Sequence, residues 1–203
     1  MMSNKSVNIV ASIPYSLEYE KGDFIGVDQG CRYLIDKNID INLAIGDFDS
    51  LEKNYLDILS ANNTKIVKLN PHKDYTDLEC AIIEAYKLKY NHVNVYGAIG
   101  KRIDHSLINI NLLKKYRNLN FYDDYSIIKV ITSTRTSLDN YASKYKYFSF
   151  FNIEDNTIIT LKNFEYPLND YLLKSDDTLC ISNEILNNSE IITNKDIIMV
   201  ASR

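Results

Sequence analysis

The sequence predicts an α/β protein in two parts: an N-terminal Rossmann-like, mostly parallel sheet flanked by helices, followed by a smaller antiparallel β-sandwich. Three observations point there. Short apolar runs alternate with helical patterns as far as about Tyr122. Beyond about Tyr125 the helical periodicity fades, and strand-like runs are separated by Asn and Asp clusters. All six glycines, at positions 22, 26, 30, 46, 97 and 100, fall in the first half.

Taken in order, Val7–Ala11 and Phe24–Val27 read as strands, the second ending at Asp28. Cys31–Asn38 reads as a short helix with Leu34 and Ile35 turned inward. Leu43–Ile45 is a third strand, followed by a helix over Leu51–Ala61 with Leu51, Tyr55, Ile58 and Leu59 on one face. A fourth strand, Lys65–Leu69, precedes a helix over Leu78–Lys89, and His92–Tyr96 is a fifth. Ser106–Arg117 is again helical, and Leu119–Tyr122 is a sixth strand. Such alternation implies βαβ units, a parallel sheet and right-handed crossovers.

The second part reads as strands at Ile127–Thr132, Tyr145–Phe151, Thr157–Leu161, Thr178–Ser182, Glu190–Thr193 and Ile197–Ala201. Their separators are Glu154-Asp155-Asn156, Asn169-Asp170, Asp176-Asp177 and Asn187-Asn188. Short strands at this spacing predict an antiparallel sandwich. The boundary falls near Asp123-Asp124, giving domains 1–124 and 125–203. No Pro- or Gly-rich linker marks it.

Composition narrows the function classes. A 203-residue chain with 45% hydrophobic and 25% charged residues is ordinary globular material. A net charge of −4 without a basic stripe argues against a nucleic-acid binder. No apolar run approaches the ~18 residues of a membrane span, so no membrane association is expected. Residues 1–10 carry no long apolar stretch of a secretory signal. Three scattered cysteines, Cys31, Cys80 and Cys180, show neither metal-ligand nor disulfide spacing, which points to a reducing, cytoplasmic address.

Chemistry concentrates at the predicted strand ends. Gly46-Asp47-Phe48-Asp49-Ser50 directly follows Leu43–Ile45. In an extended chain Asp47 and Asp49 face one side, at the sheet edge where open α/β proteins bind ligands. Two such carboxylates repel unless a cation lies between them, and hard oxygens suit Mg²⁺, which comes with substrate phosphates. An acidic turn with Ser50 capping the next helix explains the same residues without a ligand.

In Lys73-Asp74-Tyr75-Thr76-Asp77-Leu78-Glu79, Thr76 and Glu79 form a capping box, and Asp77 suits the helix dipole. Lys73 and Asp74 are left unexplained by the cap, and Asp74 and Asp77 bring two more carboxylates to the same edge. Gly97 to His105 links a strand to a helix, where glycines and a helix N-terminus favour an anion. Lys101 and Arg102 are the cations there aimed at phosphate. Asp104 fits an N-cap, and His105 serves either packing or catalysis. Asp28-Gln29-Gly30 supplies a third strand-end acid.

Together these segments, with Asn109 and Ile181-Ser182-Asn183-Glu184, resemble the thiamine pyrophosphokinase family in order and spacing over residues 7–201. The resemblance implies an α/β nucleotide-binding catalytic domain, then a thiamine-binding and dimerising sandwich, in a homodimer. It implies transfer of a pyrophosphoryl group from ATP to the thiamine hydroxyl, with Mg²⁺ required and AMP released. By that resemblance Asp47, Asp49 and Asp77 hold Mg²⁺, and Asp28, Asp74 and Arg102 contact nucleotide or align the attacking hydroxyl. Lys73, Thr76, Asp104 and His105 join the nucleotide contacts, and Ser182 and Asn183 line the thiamine pocket. The same acidic edge also suits a pyrophosphokinase acting on another alcohol such as a pterin, or a phosphohydrolase using water. A non-catalytic thiamine or nucleotide-binding module is a further alternative, against which the strand-end aspartates argue, since a sensor binds without paired metal ligands.

Overall fold

The computed structural model describes residues 5–12, 18–100, 102–132 and 134–203. The elements are β1 (Ser6–Val10), β2 (Asp23–Val27), α1 (Gln29–Asp36), β3 (Leu43–Gly46), α2 (Lys53–Ala61), β4 (Lys65–Lys68), α3 (Asp77–Lys87), β5 (His92–Tyr96), α4 (Ile103–Leu112) and β6 (Leu119–Tyr122). They continue with β7 (Ser126–Ile131), β8 (Arg135–Ser137), a 3₁₀ turn at Asp139–Tyr141, β9 (Tyr147–Asn152), β10 (Thr157–Phe164), β11 (Leu168–Leu173), β12 (Asn183–Thr193) and β13 (Ile197–Ser202). This is a mixed α/β chain with extensive sheet. Among the described residues no helix is long and apolar enough to cross a membrane.

Contacts divide the chain into two compact units: Met1–Leu112 with Phe121–Asp124, and Leu113–Asn120 with Tyr125–Arg203. In the first, β5, β1, β2, β3 and β4 lie side by side and every pair is parallel. The apolar runs of β1, β2, β3 and β5 form strands because both faces are covered: Val7, Ile9, Val10, Ile25, Ile45, Val93 and Val95 are fully buried, whereas β4 at the end of the row is largely exposed. Two amides are buried among them. Asn94 Nδ2 donates to Asn8 Oδ1 (3.2 Å), and Asn8 Nδ2 donates to the Glu20 carbonyl (2.7 Å). Cys31, Ala44, Phe48, Leu51 and Leu59 form a core cluster beneath α1 and α2.

The second unit is antiparallel throughout. Strand β13 pairs with β7 and β9; β12 pairs with β9 at Asn183–Glu184, then with β10 and β8; β11 flanks β10.

Several boundaries differ from the sequence reading. Helix α4 begins at Ile103 rather than Ser106 and ends at Leu112. Thr178–Ser182 is not a strand but a run of turns and bends: Leu179 and Ile181 are exposed, only Cys180 is buried, and Ser182 has φ 56°. Asn169-Asp170 and Asn187-Asn188 do not separate strands but lie inside β11 and β12. Asp170 (φ 47°) sits at an irregularity opposite β10, its N–H donating to Thr160 Oγ1 at 2.9 Å. Asn188 (φ 60°) faces a second irregularity, where Asn163 Nδ2 donates to its carbonyl at 2.7 Å. Bulges use the turn-forming residues that loops use, so the same letters serve both.

Candidate active site

Strand β2 ends at Val27, and Asp28 turns the chain into α1 with φ 45° and ψ −113°. A non-glycine residue at such angles is strained, and strain of this kind gathers at functional sites. Asp28 Oδ1 accepts a 3.4 Å hydrogen bond from the Phe48 N–H. Gly46 makes this placement possible, since a Cβ there would lie 1.8 Å from Asp28 Oδ1. Burial, together with the charges of Asp77 and Asp47, pushes the Asp28 carboxyl up to about 6, against the Phe48 N–H and the Lys73 ammonium.

Strand β3 ends at Gly46, but the chain is not extended beyond it. Phe48 has φ 59° and buries its ring in the cluster beneath α1. The alternation expected for Asp47 and Asp49 therefore does not hold. Asp47 is half-buried, its Oδ1 accepting from the Asp49 N–H at 3.0 Å, while Asp49 is exposed.

Thr76 caps α3 as its sequence predicts, accepting from the Glu79 N–H at 3.2 Å. Asp77 opens that helix, and its buried Oδ1 finds no partner in hydrogen-bond geometry. The Lys73 ammonium, 2.9 Å away, neutralises it. Burial acts downward on Lys73, but Asp77 and Asp47 outweigh it and hold the ammonium more basic than usual. Asp74 lies on the turn before Thr76 and is exposed.

Asp28, Asp47, Asp77 and Lys73 thus form one charged group at the carboxyl edge of the parallel sheet. Among the described residues, no three acidic, His or Cys side chains stand close enough to coordinate an ion as they are. The donor set nevertheless fits a hard divalent cation, because a buried carboxylate oxygen is left with only an ammonium beside it.

The third predicted cluster lies at β5–α4. Gly97, at φ 69°, receives the Ser12 hydroxyl on its carbonyl (2.8 Å). Arg102 grips Asp104 with two bonds, Nε to Oδ1 at 3.0 Å and an NH2 group to Oδ2 at 2.5 Å, and both residues are exposed. The guanidinium holds the Asp104 carboxyl far below the usual carboxylate range. His105 is exposed and gives its backbone N–H to Asp104. Lys101 lies outside the described residues. Asn109 is buried and donates to the Ala98 carbonyl at 2.8 Å, with its Oδ1 unpartnered.

In the second unit Ser182 is exposed, its N–H donating to Ser149 Oγ at 3.0 Å. Asn183 turns inward instead. Its Oδ1 accepts from the Tyr166 N–H at 3.0 Å and its Nδ2 donates to the Tyr166 carbonyl at 2.7 Å, which imitates a neighbouring strand. A cavity of about 400 Å³ follows it, lined in part by Lys144, Lys146, Glu184 and Arg203.

Two contributors escaped the sequence reading. The left-handed turn at Phe48 has no signature in a non-glycine, non-Asn residue. Gln29, which ties α1 to Ser50, is separated from its partner by 21 positions.

A parallel sheet with charged groups at its carboxyl edge, joined to an antiparallel unit, defines an α/β protein built to hold a small charged ligand. The comparisons make this specific: residues 18–122 match the model of the thiamin pyrophosphokinase catalytic domain, and residues 134–198 that of the thiamin pyrophosphokinase vitamin B1 binding domain. The chain is 32% identical over 194 residues, 90% of each chain, to the thiamine pyrophosphokinase of Bacillus subtilis (strain 168). A crystal structure of thiamine pyrophosphokinase from Bacillus subtilis superposes with a TM-score of 0.84 at 30% identity, covering 98% of this chain and 99% of that one. One of thiamin pyrophosphokinase from Geobacillus thermodenitrificans gives 0.83 at 28% identity, covering 98% and 97%. The chain belongs to the thiamine pyrophosphokinase family.

Proposed function

We propose that this protein transfers the pyrophosphoryl group of ATP to the hydroxyl of thiamine, giving thiamine diphosphate and AMP. Beyond family membership, the observation that carries this reading is the charged group Asp28, Asp47, Asp77 and Lys73 at the sheet edge, within the residues matching the catalytic domain.

In the reaction the thiamine oxygen forms a bond to the β-phosphorus, the bond between that phosphorus and the oxygen it shares with Pα breaks, and AMP departs. Little covalent work falls to the protein in such transfers, where positioning and charge neutralisation dominate. Asp28 takes the hydroxyl proton. With its carboxyl near 6 it is ionised at neutral pH yet more basic than an ordinary carboxylate, whereas Asp74 is exposed. Arg102 leaves Asp104 for the phosphates, where its fork geometry is bidentate. Asp47, Asp49 and Asp77 would hold a Mg²⁺, which supplies neutralisation of the triphosphate when bound.

The second unit is read as the sandwich that takes thiamine, with Phe150 meeting Phe164 edge-on at 5.9 Å in support of packed layers. Ser182 lines that pocket, and Asn183 shapes it through Tyr166. A cytoplasmic homodimer is the expected working form.

The test is incubation of purified protein with ATP, Mg²⁺ and thiamine, with products identified by mass spectrometry. Thiamine diphosphate with matching AMP, abolished by EDTA, is the expected result. Thiamine monophosphate with ADP would overturn the pyrophosphoryl step.

A further inference from the structure

We infer that Gln29 is a positioning residue for the acidic loop Asp47–Ser50, and that with Arg32 and Asp36 it forms a polar ladder holding that loop against α1. This rests on the function proposed above. Gln29 Nε2 donates to the Ser50 carbonyl at 2.5 Å and to Ser50 Oγ at 3.1 Å. One turn on, Arg32 meets Glu52 at 3.4 Å. A further turn on, Asp36 Oδ1 accepts from the Tyr55 hydroxyl at 3.0 Å, with the Arg32 guanidinium 5.5 Å above the Tyr55 ring. Positions 29, 32 and 36 share one helix face, so the ladder follows from spacings of three and four. The opposing residues 50, 52 and 55 climb in step.

The loop needs such a hold. Asp47 repels Asp28, and beyond the buried Phe48 ring the loop is lightly held: Phe48 is left-handed, and Asp49 and Ser50 are exposed. Three carboxylates against the one Lys73 ammonium leave a net repulsion that drives the loop outward. Gln29 follows Asp28 directly in the chain, so the loop is joined to this segment twice: by the Phe48 N–H to Asp28, and by the Gln29 amide to Ser50. The second link is neutral, so it persists whatever the charge on the acids. Gln29 thereby keeps the cation and nucleotide site assembled before ligand arrives. Arg32 and Asp36 anchor the following turn and helix through Glu52 and Tyr55.

The test measures binding apart from turnover. Calorimetry with Mg²⁺ and α,β-methylene-ATP, an analogue whose scissile linkage cannot be cleaved, is run on wild type, Gln29→Ala, Ser50→Ala and the double variant. Gln29→Ala is expected to weaken binding about three- to tenfold, the scale of one lost hydrogen bond, and to raise KM for ATP more than it lowers kcat. Ser50→Ala keeps the backbone acceptor and should weaken binding less than about twofold. The double variant should match Gln29→Ala, because both changes act on one contact. Unchanged binding in Gln29→Ala would overturn the inference. So would additive losses, or a lower Tm with unchanged affinity, which marks a purely structural amide. Wild-type protein that binds the analogue but makes no thiamine diphosphate would overturn the functional reading, and the binding series would still judge Gln29.

Discussion

Replacing Gly46 by alanine tests whether the Asp28 carboxylate must stand where it does. The added Cβ would lie 1.8 Å from Asp28 Oδ1 and 2.7 Å from its Cγ, against an ordinary contact distance of 3.4 Å or more. The carboxylate must therefore retreat by about 1.6 Å, the difference between the nearest approach and ordinary contact. It then loses the Phe48 N–H, already at 3.4 Å. A misplacement of about 1 Å in a reacting group costs about 10²-fold in rate, so turnover should fall by about that factor or more. Stability should fall by only about 1–3 kcal/mol, the usual cost of overpacking, eased by partial release of a confined charge. The assay is the initial rate of AMP formation in the presence of thiamine, with thermal unfolding as the control. In an Asp28→Ala background the same glycine change should cost little more, because both act on one side chain. Activity within about threefold of wild type in the single variant would refute the reasoning, given the ~10²-fold expectation.

Three further outcomes are expected. In metal-free protein the Asp28 carboxyl is raised from its ordinary 3.8 to about 6, so native stability falls as pH rises through that window. Asp28→Asn should thus raise Tm at about pH 7.5, with the gain vanishing below about pH 4; a gain constant across the range would contradict the assignment. Arg102→Ala removes only an exposed pair with Asp104, so unfolding free energy should change by less than about 0.5 kcal/mol while kcat falls about 10²- to 10³-fold. Asn183→Ala deletes both bonds to the Tyr166 backbone, and chemical denaturation should show a loss of about 1–3 kcal/mol.

Most of the parallel strands were legible because strands buried on both faces leave short, largely apolar runs, and the cap at Thr76 because capping is written within four residues. Legibility failed where one residue type serves two local structures. Asp170 and Asn188 read as turn markers, yet they are bulges whose strands continue on either side. It failed again where geometry depends on residues distant in sequence. The two-residue spacing of Asp47 and Asp49 implied a shared face, but the Phe48 ring is drawn into a pocket of Cys31, Ala44, Leu51 and Leu59, and the chain turns to follow it. At the candidate site Asp28, Asp47 and Asp77 were legible as acids of one sheet edge, whereas Asp49 and Asp74, read together with them, lie exposed. The raised carboxyl of Asp28 was not legible, because it depends on burial, which Gly46 makes room for, and on Asp77 arriving from the first turn of α3. Asn183 was legible as a polar candidate in the second unit, but not as a mimic of a strand.

Strand β1 lies between β2, which follows it closely, and β5, which begins at His92. On a ribosome adding about 5–20 residues per second, the second partner emerges on the order of 4–20 s after the first strand. Through that interval one edge of β1 carries bare amides beside Val7, Ile9 and Val10, an open template for a foreign strand. The amide of Asn8 restricts which strand is accepted. A partner placing a hydrogen-bond donor opposite its Oδ1, as Asn94 does, avoids sealing an unsatisfied polar group in the interior, and a slip of one residue forfeits the match. The buried asparagine pair thus acts as a proofreading mark for the later of the two strands that flank β1, written inside the sheet that carries the acids.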